Sequence, residues 1–135
     1  MSEQAIKVAE EWLAASTRTV ADKDLGGHLN LISPEVSLTG IPGFEAIDYQ
    51  AWAAQCKHEF ENSLISSVAY HGLKIVAETD NRVMFRTWET VQASDGAVNA
   101  QGIEVLLQRE ADNQWRVVQE RVLPEEESAH EGLVP

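Results

Sequence analysis

Four polar residues occupy strand-like positions in the second half of the chain: His71, Glu89, Gln119 and Arg121. Alternate side chains of a strand share one face, and each of the four alternates with apolar residues. If those apolar faces line a pocket, the four polar groups lie inside it. A histidine near a carboxylate can act as a general acid or base at neutral pH. His71 and Glu89 are therefore the candidate catalytic residues, and Gln119 and Arg121 are candidate ligand contacts.

The same residues also have a purely structural interpretation. His71 would then be hydrogen-bonded in the wall of the sheet, and Glu89 would pair with Arg121. The assignment of faces is open as well, because a bulge at Gly72 or Gly102 would swap the two faces partway along a strand. The opposite faces carry a second set of residues: Tyr70, Arg86, Trp88, Glu104 and Glu120.

Four long strands are predicted to carry these side chains. Three turn-forming pairs separate the apolar runs, namely Asp80-Asn81, Asp95-Gly96 and Asp112-Asn113. The predicted strands cover residues 65–77, 82–93, 98–109 and 115–123. At about 3.3 Å per residue the longer strands span roughly 35–40 Å, which is too long for a flat sheet in a small domain. We therefore expect a sheet that curls.

Three helices and one short strand precede the long strands. Each predicted helix starts at a capping serine or aspartate and has one apolar stripe. Trp12 and Trp52 lie on two of these stripes and Leu38 lies on the short strand, so all three are expected to line the pocket. The predicted ranges are 2–22, 24–33 and 48–62 for the helices and 36–40 for the short strand. The fold class is thus α+β, with the helices on one face of a curved mixed or antiparallel sheet.

Residues 1–124 are predicted to form one domain, and residues 125–135 form an acidic tail after Pro124. The tail lacks apolar periodicity, so we expect it to be solvated, with an interaction tail as the alternative.

Composition excludes several functional classes. Ten basic residues against 22 acidic ones give a net charge of -12, which repels nucleic acid and anionic membrane surfaces. The N-terminal residues lack the apolar core of a secretory signal, and no apolar run is long enough to span a membrane, so a cytoplasmic protein is expected. The four histidines show no metal-ligand spacing, and no phosphate-binding glycine motif is present. We expect neither a metal nor a cofactor.

From about residue 5 to residue 123 the chain resembles the nuclear-transport-factor-2-like superfamily. This cystatin-like α+β cone is shared by SnoaL-like polyketide cyclases and ketosteroid isomerases. The resemblance rests on the order of elements, on the run 36–43 followed by the helix that carries Trp52, and on the closing strand 115–121. It implies a mainly apolar pocket between the sheet and the helices.

The resemblance also implies roles for particular positions. Isomerases of this family carry a catalytic aspartate at the end of the first strand, where this chain has Thr39 and Gly40. Their oxyanion-binding tyrosine on the first helix corresponds to Trp12. Their protonated aspartate on the third long strand lies near Glu104, which is therefore a further candidate ligand contact. Because two of the three groups differ, steroid isomerisation is not expected.

Two classes of function stay open. The first is a cofactor-free acid–base enzyme of the SnoaL-like kind, an isomerase, cyclase or dehydratase acting on a small, apolar or weakly polar carbonyl compound. The second is a non-catalytic ligand-binding or dimerisation module. A homodimer is expected in either case, because the outer sheet face would otherwise expose a large apolar patch. Its predicted members are Val68, Tyr70, Val76, Met84, Trp88, Leu106, Val118 and Val122.

Overall fold

The four long strands expected from the turn residues are present, and a fifth strand lies at the edge of the sheet. A computed structural model describes residues 2–135. The strands are β1 (Ile32–Thr39), β2 (Ile65–Glu78), β3 (Arg82–Ala93), β4 (Val98–Arg109) and β5 (Trp115–Val122). They form one curved, unclosed sheet in the order β1-β5-β4-β3-β2, in which only β1 and β5 run parallel. The predicted α+β class with a mixed sheet is confirmed.

Four helices accompany the sheet: α1 (Glu3–Ala21), α2 (Leu25–Leu29), α3 (Tyr49–Glu61) and α4 (Glu125–His130). The expected caps hold the first three, because the side chains of Ser2, Asp24 and Asp48 each accept a hydrogen bond from a backbone N–H in the first helical turn. No helix within residues 2–135 is long and apolar enough to cross a membrane.

The second helix is shorter than predicted. It ends at Leu29, and β1 begins at Ile32 and runs through Pro34. The prediction counted Ile32 on a helical stripe, whereas it belongs to an edge strand, where a proline is tolerated because one side of the strand needs no ladder hydrogen bond.

The core lies between α1 and the concave face of the sheet. Phe85, Val105, Leu107 and Val117 are fully buried there. The ring of Trp12 meets that of Phe85 with 6.3 Å between centroids, a distance at which aromatic pairs attract each other. This packing fixes α1 over β3 and the edge strand β2.

Bulges decide which side chains of β2 and β5 face the core. The register of β2 against β3 shifts at three places, within residues 65–67, 71–74 and 75–77. On β2, His71 pairs with Trp88 but Lys74 pairs with Arg86, so one extra residue is inserted around Gly72, whose φ is +73°. The swap of faces that a bulge at Gly72 would cause is therefore realised. Gly102, the other predicted site, lies in a regular part of the ladder.

The bulge on β5 lies at Val118. Leu106 pairs with Gln119, whereas the next residue, Leu107, pairs with Val117. Val118 is therefore the extra residue, and the alternation of faces shifts by one position beyond it.

The C-terminal residues are not a solvated tail. Helix α4 and the residues after it lie on the outer face of β4, where Ser128 and Leu133 are each only 3% exposed. Gly102 makes this approach possible, because a Cβ at that position would lie 2.2 Å from the Ser128 Oγ. Ion pairs of Arg121 with Glu127 and of Arg86 with Glu131 hold the segment at both ends.

This docking and the bulges reduce the apolar patch that was expected to form a dimer. Val68, Tyr70 and Val122 line the inner cavity instead of the outer face. Val76, Met84, Trp88, Leu106 and Val118 are all partly buried. The homodimer therefore stays a prediction, with a smaller surface than the sequence suggested.

We predict that Gly102→Ala lowers the free energy of unfolding by about 1–3 kcal/mol, because the new methyl group overlaps Ser128. Ser128→Gly removes the overlapping atoms, so the double variant should lose less than the sum of the single variants in urea titrations. Gly26→Ala is the control, since a Cβ there would lie 4.0 Å from the nearest atom. Strictly additive losses in the free energy of unfolding would show that the packing of α4 on β4 does not depend on Gly102.

Candidate functional site

A cavity of about 520 Å³ lies between the concave face of the sheet and helices α1, α2 and α3. The predicted lining residues Trp12, Leu38 and Trp52 are among its walls. Most of the lining is apolar, and no lysine or arginine of the described chain, residues 2–135, contributes to it. A second cavity of about 850 Å³ shares the Trp52 and Leu38 walls and extends under the loop that carries Phe44.

Two carboxyl groups of the sheet face this first cavity, which Glu59 of α3 also lines. Glu89 projects from β3, and Glu120 projects from β5 just beyond the Val118 bulge. Gln101 donates a hydrogen bond from its Nε2 to the Glu89 Oε1 at 3.0 Å. The Glu120 side chain has no hydrogen-bond partner within residues 2–135, although the residue is only 8% exposed.

The two carboxyl groups are expected to hold protons more tightly than an ordinary glutamate. Burial raises the pKa of Glu89, while hydrogen bonds from Gln101 and Tyr70 partly offset the rise. Burial also raises the pKa of Glu120 well above its usual value, and the negative charge of Glu89 raises it further. The two surroundings therefore give the carboxyl groups different pKa values, and Glu120 keeps its proton to higher pH than Glu89 does.

Tyr70 brings a hydroxyl group to the same wall. It is the cross-strand neighbour of Glu89, and its hydroxyl lies 2.9 Å from the Ser16 Oγ of α1. Burial and the nearby charge of Glu89 raise the pKa of Tyr70 well above 10, so the phenol stays protonated at neutral pH. Trp12, in contrast, donates its indole N–H to the Leu31 carbonyl at 3.1 Å.

Of the two predicted catalytic residues, only Glu89 lies in the cavity. His71 is exposed on the other face of β2, where its Nε2 lies 2.6 Å from the Val134 carbonyl oxygen. The reason is the Gly72 bulge, since Tyr70 rather than His71 has the inward parity on this part of the strand. The expected placement of His71 beside Glu89 is therefore wrong.

Three predicted ligand contacts also lie outside the cavity. Gln119 is exposed on the outer face, and Arg121 pairs there with Glu104 and with Glu127. The Val118 bulge explains both Gln119 and Arg121, because it turns Glu120 inward in their place. Glu104 is only 15% exposed, and Arg86 is its second partner. Glu89 therefore does not form the ion pair with Arg121 that the structural interpretation expected.

Other chemistry finds little support in this region. No three histidine, cysteine, aspartate or glutamate side chains come together as a metal site in the described part of the chain, residues 2–135. Cys56 faces the cavity from α3, and burial raises its thiol pKa to about 12, which keeps it protonated and unreactive.

No protein-family model matches the chain, and no curated protein matches it. Solved structures do. The protein Aln2 from a Streptomyces species superposes with a TM-score of 0.73 at 13% identity, covering 96% of this chain and 97% of that one.

Two further structures show the same similarity. A ketosteroid isomerase-like protein from Erwinia carotovora atroseptica gives a TM-score of 0.63 at 19% identity, with 90% of this chain and 96% of that one covered. An NTF2-like protein of unknown function from Pseudomonas putida gives 0.70 at 15% identity, with 90% and 87% covered. The chain has the NTF2-like fold. Identities this low establish the fold alone.

Within the NTF2-like cone, sequence reasoning missed two residues of the polar wall, Tyr70 and Glu120. Both were on the faces assigned to the outside. Gly72 was a usable signal for Tyr70, because an isolated glycine in a strand pattern often marks a bulge. Nothing comparable marks the bulge at Val118, which follows another valine in an ordinary apolar strand.

We predict that Glu120→Gln raises the free energy of unfolding at pH 8 by about 1–3 kcal/mol. A raised folded-state pKa means that the contribution of Glu120 to stability is complete below its unfolded pKa and is lost as pH rises through the folded value. The gain of the variant should therefore shrink toward zero near pH 4.5. Urea titrations at both pH values measure this difference.

The control is Glu61→Gln, which makes the same change of charge at an exposed position on α3. It should alter stability little at either pH. A Glu120→Gln variant that is no more stable than the wild type at pH 8 would contradict the raised pKa.

Proposed function

We propose that this protein binds a small, neutral, mainly apolar carbonyl compound and catalyses proton transfer on it without a cofactor. The observation that carries the proposal is the presence of two carboxyl groups, Glu89 and Glu120, in one largely apolar cavity with no lysine or arginine among its lining residues in the described chain. A pair of carboxyl groups with unequal pKa values can supply a base and an acid at the same pH.

The surroundings of Glu89 and Glu120 indicate which of them is the base and which is the acid. Glu89 is the base, because hydrogen bonds from Gln101 and Tyr70 favour its ionised form. Glu120 is the acid, because nothing within residues 2–135 donates a hydrogen bond to it and burial favours its neutral form. Because its one proton is used in the hydrogen bond to Glu89, Tyr70 accepts from the Ser16 hydroxyl and supports the base.

The proposed step conserves atoms and charge. The Glu89 carboxylate removes a proton from the carbon beside the substrate carbonyl, and the electron pair of that C–H bond forms a carbon–carbon double bond. The carbonyl oxygen takes the proton of Glu120 and becomes an enol hydroxyl. Glu89 then delivers a proton to carbon while the enol hydroxyl returns its proton to Glu120 and the carbonyl re-forms. Delivery to another carbon gives isomerisation, and delivery to the same carbon after Glu89 has exchanged its proton with solvent gives exchange.

Charge limits the substrates that such a site accepts. The cavity has glutamates at positions 59, 89 and 120 and no cationic side chain in the described chain, and the protein carries a net charge of -12. Anionic compounds would be repelled both at long range and inside the cavity. A neutral compound avoids this repulsion and gains from burial against the apolar walls.

Binding without catalysis is the second candidate function. It is favoured by one observation, the presence of Thr39 and Gly40 at the end of β1, where the resemblance to isomerases implied an aspartate. The two candidates differ in a single measurement, since a binding protein would take up the ketone without exchanging its protons.

We predict that the protein accelerates exchange of the α-protons of β-tetralone in deuterated water, followed by proton NMR. The rate should rise with pH as Glu89 ionises, above the ordinary glutamate value, and fall again as Glu120 loses its proton. Glu89→Gln should lower the rate roughly a hundredfold or more, because the base is lost.

Glu120→Gln keeps a hydrogen-bond donor, so it should lose less rate and should abolish the decline at high pH. His71→Ala is the matched control and should retain wild-type exchange, since His71 lies on the opposite face of β2 from the cavity. Binding of β-tetralone with no exchange above the solvent rate would favour the non-catalytic function.

A homodimer through the uncovered part of the outer face is a further prediction. Met84, Leu106 and Val118 are the apolar residues that lie there at partial exposure. Sedimentation velocity at micromolar concentration should give a dimer, and Leu106→Glu should shift it to monomer while leaving the circular dichroism spectrum unchanged. A wild-type monomer would contradict the prediction.

A further inference from the structure

His28 is another polar residue of the cavity wall, and the proton transfer described above does not use it. It belongs to the short helix α2 and lines the same cavity as Glu89 and Glu120. Its ring packs against Phe60 with 5.2 Å between centroids. Its Nδ1 lies 2.9 Å from the hydroxyl oxygen of Thr19 on α1.

The hydrogen bonds of Thr19 define the tautomer of this ring. The Thr19 hydroxyl has one proton, and it donates this proton to the Ser16 carbonyl oxygen at 3.2 Å. With that bond formed the hydroxyl accepts from His28, and we infer that Nδ1 carries the ring hydrogen. Burial lowers the pKa of His28 to about 4, which outweighs the nearby charge of Asp24, and the ring is neutral at pH 7.

A neutral ring with its hydrogen on Nδ1 has an unprotonated Nε2. That nitrogen is a hydrogen-bond acceptor, and it has no partner within residues 2–135. The ring cannot readily change tautomer to suit a ligand, because Thr19 would then lose either its bond to Ser16 or its bond to His28.

We propose that His28 determines specificity by accepting a hydrogen bond, at Nε2, from a hydroxyl or N–H group of the ligand. This inference rests on the proposed function and extends it. The Glu120 side chain offers a donor to a carbonyl oxygen, whereas His28 offers an acceptor. The ligand class is therefore a neutral ketone that carries a hydrogen-bond donor elsewhere on an apolar ring skeleton.

The tautomer can be measured without any ligand. Long-range proton–nitrogen correlation spectra of the uniformly ¹⁵N-labelled full chain at pH 7, assigned with His28→Phe, should show a protonated Nδ1 and an unprotonated Nε2. Thr19→Val removes the hydroxyl and should release the ring to the mixture of tautomers typical of free histidine. A protonated Nε2 in the wild type would overturn the proposal.

Specificity can be measured with matched ketones. The probes are α-tetralone, its phenolic hydroxy derivatives and the corresponding methyl ethers, with affinities read from the fluorescence of Trp12 and Trp52 in the cavity wall. At least one hydroxy derivative should bind the wild type about threefold to tenfold more tightly than α-tetralone, the effect of one good hydrogen bond. The methyl ethers, which lack a donor, should show no such gain.

The variant His28→Phe keeps an aromatic ring against Phe60 but has no acceptor, so the preference for the hydroxy derivative should fall to about unity. Thr19→Val should reduce it in part, and His58→Phe, at an exposed position on α3, should leave it unchanged. An unchanged preference in His28→Phe would overturn the role of His28 while leaving the proposed function intact. If wild type binds none of these ketones, the ligand class itself fails, and the specificity role of His28 fails with it.

Discussion

The cavity depends on two β-bulges, the one around Gly72 on β2 and the one at Val118 on β5. Without the extra residue at Val118, the strand parity would place Gln119 and Arg121 inside and Glu120 outside. Arg121 could then neutralise Glu89, and the site would hold an ordinary buried ion pair. The bulge instead places Glu120 in the cavity with Glu89 and without a cation, where burial raises the pKa of both groups and the charge of Glu89 raises that of Glu120 further.

The same bulge separates the charges of the protein into two layers. Arg86 and Arg121 lie on the outer face, where they pair with Glu104 and with the acidic residues of the C-terminal segment. Partly exposed ion pairs of this kind each contribute little to stability. Several of them in one network, together with the buried Leu133, are sufficient to hold a six-residue helix that has no side-chain cap. The cavity side receives no lysine or arginine within residues 2–135.

Much of the fold could be predicted from the sequence because its signals are local. Turn pairs such as Asp95-Gly96 and caps such as Asp48 act within a few residues, and the ranges of β3 and β4 agree with the prediction to the residue. The positions of Glu120 and of α4 depend on long-range facts. A bulge at Val118 is settled by pairing with β4, and the docking of α4 requires Gly102 and arginines on distant strands. The residue pattern within one segment therefore predicts neither the bulge at Val118 nor the docking of α4.

The residues that form the packed core and the residues that line the cavity lie in different parts of the same strands. On β3 the inward side chains Val83 and Phe85 are packed completely, Thr87 is buried and bonded to the His71 carbonyl, and Glu89 and Val91 open onto the cavity. The packed half provides the burial that offsets the cost of two carboxyl groups in the open half. A substitution in the packed half should therefore change stability. A substitution at Glu89 should change proton transfer, because Glu89 lies on the cavity wall.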